Sequence, residues 1–230
     1  MERTVQIPTG CVALEGSLTI PEDPKGLVLF AHGSGSSRHS PRNRLVADVL
    51  QEAGLATLLI DLLTDEEERV DRQTAHLRFD IGLLAERLVG TTDWLLQNDD
   101  TRELPIGCFG ASTGAGAALV AAAERSESIR AVVSRGGRPD LAGPALARVG
   151  AATLLIVGGE DAPVIGMNRA ALEQLGADVT ELVIVPGATH LFEEPGALEE
   201  VGRLAAEWFT RHLKAAVRSG RAESARSGRR

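Results

Sequence analysis

Six apolar runs, at 26–31, 56–60, 105–109, 129–134, 152–157 and 180–185, alternate with helical segments, and this spacing limits the fold more than any other property. The runs are largely solid instead of alternating, as expected of strands covered by helices on both faces. Helical periodicity or composition falls between them, at 41–54, 79–97, 113–124, near 141–148, 164–175 and 196–214. Two further strand-like pieces within 3–20, around Pro8-Thr9-Gly10, predict a hairpin, and 62–78 reads as a charged loop. The fold class is α/β: an open, mostly parallel, doubly wound sheet in three α/β/α layers, with right-handed crossovers. Residues 1–213 are expected to form one domain without a separate cap, followed by a basic, disordered tail at 214–230. Ligands of such sheets sit at the carboxyl ends of the strands, so the residues just after each strand decide the function.

After 105–109 comes Gly110-Ala-Ser112-Thr-Gly114, leading into a helix of small residues. A serine between two glycines on so tight a strand-to-helix turn has an exposed hydroxyl and a strained backbone, the geometry of a nucleophile elbow. The same letters fit the glycine loop of short-chain dehydrogenases, because Gly114-Ala-Gly116-Ala-Ala118 matches a dinucleotide fingerprint. That loop belongs after the first strand of a sheet, whereas apolar strands already precede it here. Those enzymes also need a Tyr-x-x-x-Lys pair, and the chain contains no tyrosine. A third reading is a helix that needs small residues merely to pack closely on the sheet.

Two other strand ends settle the choice. Gly158-Gly-Glu160-Asp161 follows 152–157, and Pro186-Gly-Ala-Thr-His190 follows 180–185. Serine, acid, histidine is the chain order of α/β-hydrolases. Taken singly, Asp161 could be a helix N-cap and His190 a surface loop residue. Together they fall where the fold presents its chemistry. Glu160, and Asp140 one strand earlier, are the alternative acids. After 26–31, Gly33-Ser34-Gly35 lies in a turn able to aim a backbone amide at a carbonyl oxygen. The nominated oxyanion donors are the N–H groups of Ser34 and Thr113, with His32 orienting the loop.

With these residues in place, the chain resembles the dienelactone-hydrolase-like branch of the α/β-hydrolase superfamily over roughly residues 25–213. The resemblance rests on the segments 31–38, 110–114, 158–161 and 187–192. It implies an α/β-hydrolase fold and a triad of Ser112, Asp161 and His190. One position departs from the pattern: dienelactone hydrolases proper use a cysteine nucleophile, and residue 112 is serine. Cys108 does not replace it, since it lies within a strand. Serine favours general esterase chemistry, with hydrolysis of small esters or lactones through an acyl-enzyme. Thioesterase, amidase or perhydrolase chemistry on the same triad is the alternative, and a non-catalytic binding protein of the same fold is a further one.

Composition bounds the partners. Of 230 residues, 43% are hydrophobic and only 3% aromatic, and the net charge is −8. The tail from Lys214 carries six basic residues against Glu223 alone, so the remaining body is near −13. So acidic a body repels nucleic acid. No apolar run approaches the roughly 20 residues that span a bilayer, and no signal-peptide pattern opens the chain. Cys11 and Cys108 form neither a disulfide framework nor a metal site. The expectation is a cytoplasmic monomer or homodimer acting on a small molecule, without metal or cofactor. Gly33, Gly35, Arg38, Arg78 and Arg135 are candidate substrate contacts. Arg42 and Arg44, also near strand ends, are further cations able to favour carboxylate-bearing substrates.

Overall fold

The computed structural model describes residues 2–213; the basic tail lies outside the described residues. Strands β1 (Glu2–Thr9) and β2 (Val12–Thr19) form the expected hairpin, turning at Gly10 and Cys11. The chain then alternates through β3 (Leu27–Ala31), α1 (Pro41–Glu52), β4 (Ala56–Ile60), α2 (Asp65–Thr74) and α3 (Ile81–Gln97). It continues with β5 (Ile106–Ala111), α4 (Thr113–Glu124), β6 (Ile129–Arg135), β7 (Ala152–Gly158), α5 (Ala162–Leu172), β8 (Thr180–Val185) and α6 (Ala197–His212).

The eight strands form one sheet in the order β1-β2-β4-β3-β5-β6-β7-β8. Only the pairings β1–β2 and β2–β4 are antiparallel; β4 through β8 run parallel. The order reverses between β3 and β5. Such a reversal opens a crevice at the carboxyl ends of the strands, and Ser112 lies just there.

Solid apolar strands feed two cores at once, because neighbouring side chains point to opposite faces. On β3, Leu27, Leu29 and Ala31 join a core with Leu88 of α3 and Leu119 of α4. Val28 and Phe30 join the other, with Leu50 of α1 and Val201 and Phe209 of α6. The Phe30 and Phe109 rings meet at 4.9 Å between centroids, an aromatic contact within this aromatic-poor core. Cys108 is fully buried, and burial pushes its thiol up to about 12, so it is an inert core residue.

The segment expected as a charged loop at 62–78 is instead α2 followed by a 3-10 turn, Leu77–Phe79. The reason is local. Thr64 Oγ1 accepts from the Glu67 N–H and Glu67 Oε2 accepts from the Thr64 N–H, a reciprocal cap worth about 1 kcal/mol. Acidic residues at 65–68 sit in the first turn, where the helix dipole favours them. Near 141–148 the helix is 3-10 over Pro139–Arg148, interrupted at Gly143 (φ 50°), which precedes Pro144. The ends of α3, α5 and α6 shift by one to three residues from their expected bounds. Asp80 sets the start of α3 by accepting from the Leu83 N–H. No described helix is long and apolar enough to cross a membrane.

Two close approaches hold the site end of the sheet. A Cβ on Gly114 would lie 2.4 Å from the carbonyl oxygens of Ala31 and His32, and one on Gly110 would lie 2.4 Å from Ala115 Cα. These glycines let the β5–α4 turn lie directly on the end of β3. Beside them, buried His32 ties two loops together: Nδ1 donates to the Gly33 carbonyl and Nε2 accepts from the Leu62 N–H. This pattern requires the neutral ring with its proton on Nδ1. Burial lowers the His32 pKa below its ordinary 6.5, with the Gly33 carbonyl and the charges of Asp61 and Glu68 opposing it.

Gly114→Ala should cost about 3 kcal/mol in urea unfolding, whereas Gly166→Ala on α5, which meets open space, should be neutral or stabilising. Since unfolded His32 takes up a proton near pH 6.5 and the folded ring only below it, its contribution to stability is complete above 6.5 and falls as the pH drops. Imidazole nitrogen NMR should report the Nδ1–H tautomer at neutral pH and an apparent pKa under 6.5.

Candidate active site

Ser112 occupies the residue between β5 and α4, with φ 50° and ψ −120°. A left-handed φ at a residue with a side chain costs on the order of 1–3 kcal/mol and is held here by its surroundings. Its N–H donates to the Arg135 carbonyl, and its own carbonyl accepts from the Ala115 and Arg138 N–H groups. Although Ser112 stands at the N-cap of α4, its hydroxyl makes no capping bond. The oxygen is therefore unspent on the helix and lies at the positive end of its dipole.

His190 follows β8 through the turn at Gly187 (φ 71°), and its Nδ1 lies 2.6 Å from Asp161 Oδ2. Asp161 occupies the N-cap position of α5 but makes no cap bond; its carboxylate is turned to the imidazole instead. With Nδ1 donating to the carboxylate, Nε2 is the nitrogen able to accept a proton. Glu160 is exposed. Asp140 is engaged by Arg138, at 2.8 and 2.7 Å. Ser112 and His190 line one cavity of about 230 Å³, together with Gly33, Ser34 and Arg135.

The two nominated oxyanion amides stand differently. The Thr113 N–H, in the first turn of α4, meets no acceptor among the described residues. The Ser34 N–H instead donates to the Thr113 hydroxyl at 2.9 Å. Gly33 lies against the nucleophile, since a Cβ on it would meet Ser112 Cβ at 3.2 Å. Gly35, with φ 70°, turns the loop away toward Arg78.

The candidate arginines divide between two cavities. Arg38 and Arg78 line a larger, polar cavity of about 730 Å³ beside the first, bordered by Glu15, Asp61 and Glu68. Arg38 is neutralised there by Asp61 and Glu15. Arg78 donates through Nε to the buried Asp71 carboxylate. Arg44 pairs with Glu2 at the surface. Arg135 alone of the three nominated arginines borders Ser112, with Arg42 at the same cavity.

Ser40, Asn43 and Leu191 also line this cavity and were not evident from the sequence. Leu191 adjoins His190, so its position was implicit. Ser40 caps α1, its hydroxyl accepting from the Asn43 N–H. Buried Phe192, two positions beyond the histidine, also has a positive φ, 57°.

The dienelactone hydrolase family profile matches residues 14–216. Dienelactone hydrolase from Anabaena variabilis has a crystal structure 67% identical to this chain, with a TM-score of 0.91, covering 93% of this chain and 99% of that one. Est1E from Butyrivibrio proteoclasticus shares the fold at 18% identity, with a TM-score of 0.73 over 90% of this chain and 98% of its own. Two Mycobacterium tuberculosis sequences named "Putative phosphoribosyl transferase" are 59% identical over 212 residues, 92% of this chain. The chain spans about half the length of these curated relatives, 47% of each. The α/β-hydrolase sheet and the matching profile make this chain a hydrolase-fold member of the dienelactone hydrolase family.

Proposed function

We propose that the chain is a serine hydrolase that cleaves small carboxylic esters or lactones through an acyl-enzyme. One observation carries this reading: Asp161 leaves its helix cap unmade and binds His190 Nδ1, on the cavity that holds the strained, uncapped Ser112. A structural aspartate at that position would cap α5. Membership of a hydrolase family and likeness to a protein named dienelactone hydrolase support the same reading.

In this mechanism His190 Nε2 takes the Ser112 proton as the hydroxyl attacks the carbonyl carbon. Asp161 holds the tautomer and stabilises the imidazolium. The Thr113 N–H meets the developing oxyanion directly, a donor worth on the order of 3 kcal/mol. The Ser34 N–H contributes by turning from the Thr113 hydroxyl or by polarising it. His190 then protonates the leaving alcohol, and water attacks the acyl-enzyme by the reverse proton path. The mycobacterial relatives, named for phosphoribosyl transfer, are about twice the length of the stretch this chain matches.

A fluorophosphonate probe should label the wild-type protein and fail to label Ser112→Ala. Ester turnover should fall by several orders of magnitude in that variant with its unfolding transition unchanged. Asp161→Asn should lower kcat by about 10⁴ and Glu160→Gln should leave it unaffected. Unlabelled wild type, or an active Ser112→Ala, would overturn the assignment. A panel of p-nitrophenyl esters, lactones, thioesters and amides separates ester hydrolysis from the other reactions of such a triad.

A further inference from the structure

The cavity around Ser112 holds a cation that nothing among the described residues balances. Arg135, the last residue of β6, is 7% exposed. Its side chain makes no hydrogen bond or ion pair to any described residue, and its Nε is buried without a partner. Its one contact of note is the face of Phe192, 5.9 Å from the ring centroid, which orients the guanidinium without neutralising it. The other charge at the cavity is also positive. Arg42 spends Nη1 on exposed Glu193 at 3.1 Å and leaves its own Nε buried and unpartnered. Burial, with repulsion from Arg42 added, pushes Arg135 down to about 10, so it stays charged at neutral pH. An unpaired buried cation destabilises a fold, and one that borders a nucleophile is a functional group by default.

We propose that this cavity binds a substrate carrying a phosphate monoester, its phosphoryl oxygens on the Arg135 guanidinium with Arg42 beside it, while Ser112 faces an acyl carbon of the same molecule. Donor number and shape favour phosphate over a carboxylate. Arg135 brings an unpaired guanidinium and Arg42 keeps its Nε unspent after pairing with Glu193. A planar carboxylate is satisfied by one guanidinium, whereas the three oxygens of a phosphate monoester can use donors from both. The remaining polar lining, Ser34, Ser36, Ser40 and Asn43, surrounds the space with short hydroxyl and amide groups that suit a tetrahedral anion. Only Ala111 and Leu191 are apolar there, which leaves little surface for a long acyl chain. The role of Ser112 rests on the hydrolase reading; the anion site does not.

Thermal shift on the full chain tests the site without turnover. At matched ionic strength, inorganic phosphate should raise Tm in wild type while chloride and acetate do not. Arg135→Met should have the higher Tm without ligand, since the unpaired cation is gone, and should lose at least tenfold in phosphate affinity. Arg42→Gln should weaken phosphate severalfold and serves if the first variant fails to fold. On the activity side, inorganic phosphate should compete with p-nitrophenyl acetate. Acetylglycerol phosphate should have a KM at least tenfold below that of monoacetylglycerol, a gap that closes in Arg135→Met. Phosphate acting no better than chloride, acetate matching phosphate, or an Arg135→Met protein with undiminished phosphate affinity would each overturn the proposal. A protein that binds phosphate through Arg135 but cleaves no ester would refute the hydrolase reading alone.

Discussion

The site end of this molecule depends on how closely the β5–α4 turn lies against the end of β3. Gly114 meets the carbonyl oxygens of Ala31 and His32 at a distance no side chain tolerates, and Gly110 does the same with the start of α4. That contact forces Ser112 into a left-handed φ and brings the Gly33 turn against its side chain. It also leaves the first turn of α4 uncapped beside the Ser112 hydroxyl. The strain at Ser112 is sustained by two packed cores that hold both faces of the same strands, so relaxing the turn would disturb β3 and β5 together.

Around this contact the polar groups are arranged by competition between structural and chemical uses. Asp161 could cap α5, yet its carboxylate is bound to His190. Ser112 could cap α4, yet its hydroxyl makes no such bond. His32 shows the opposite outcome: both ring nitrogens are taken by the loops it braces, so it is removed from proton transfer. Arg38 and Arg78 are likewise consumed by Asp61, Glu15 and Asp71. Arg135 is the exception, a buried guanidinium at the cavity for which the described residues supply no ion-pair partner.

Much of the fold was legible because parallel strands covered on both faces are mostly apolar, and six such runs are plain in the sequence. The charged stretch 62–78 misled because charge density masked a local signal. Thr64 and Glu67 have the spacing of a reciprocal helix cap, and the acidic first turn is an asset to a helix. Similarly, Pro144 beside Gly143 marked where the helix expected near 141–148 could not stay regular. At the site, Ser112, Asp161 and His190 could be named from their positions after three strands, and the structure brings the acid and the histidine to 2.6 Å.

The sequence by itself determined the alternation of strand and helix, the glycine-flanked serine and the order of the chemical groups, since these depend on local sterics and on hydrophobic period. Only the tertiary structure decided which acid faces the histidine and that the Ser34 amide rests on the Thr113 hydroxyl. It alone separated the candidate arginines into those neutralised by nearby carboxylates and the one left unpaired. Those outcomes turn on distances between residues far apart in the chain, such as Arg38 with Asp61 or Arg135 with Arg42. Charge compensation and hydrogen-bond choice act over a few ångströms of space, and spacing along a sequence does not encode them.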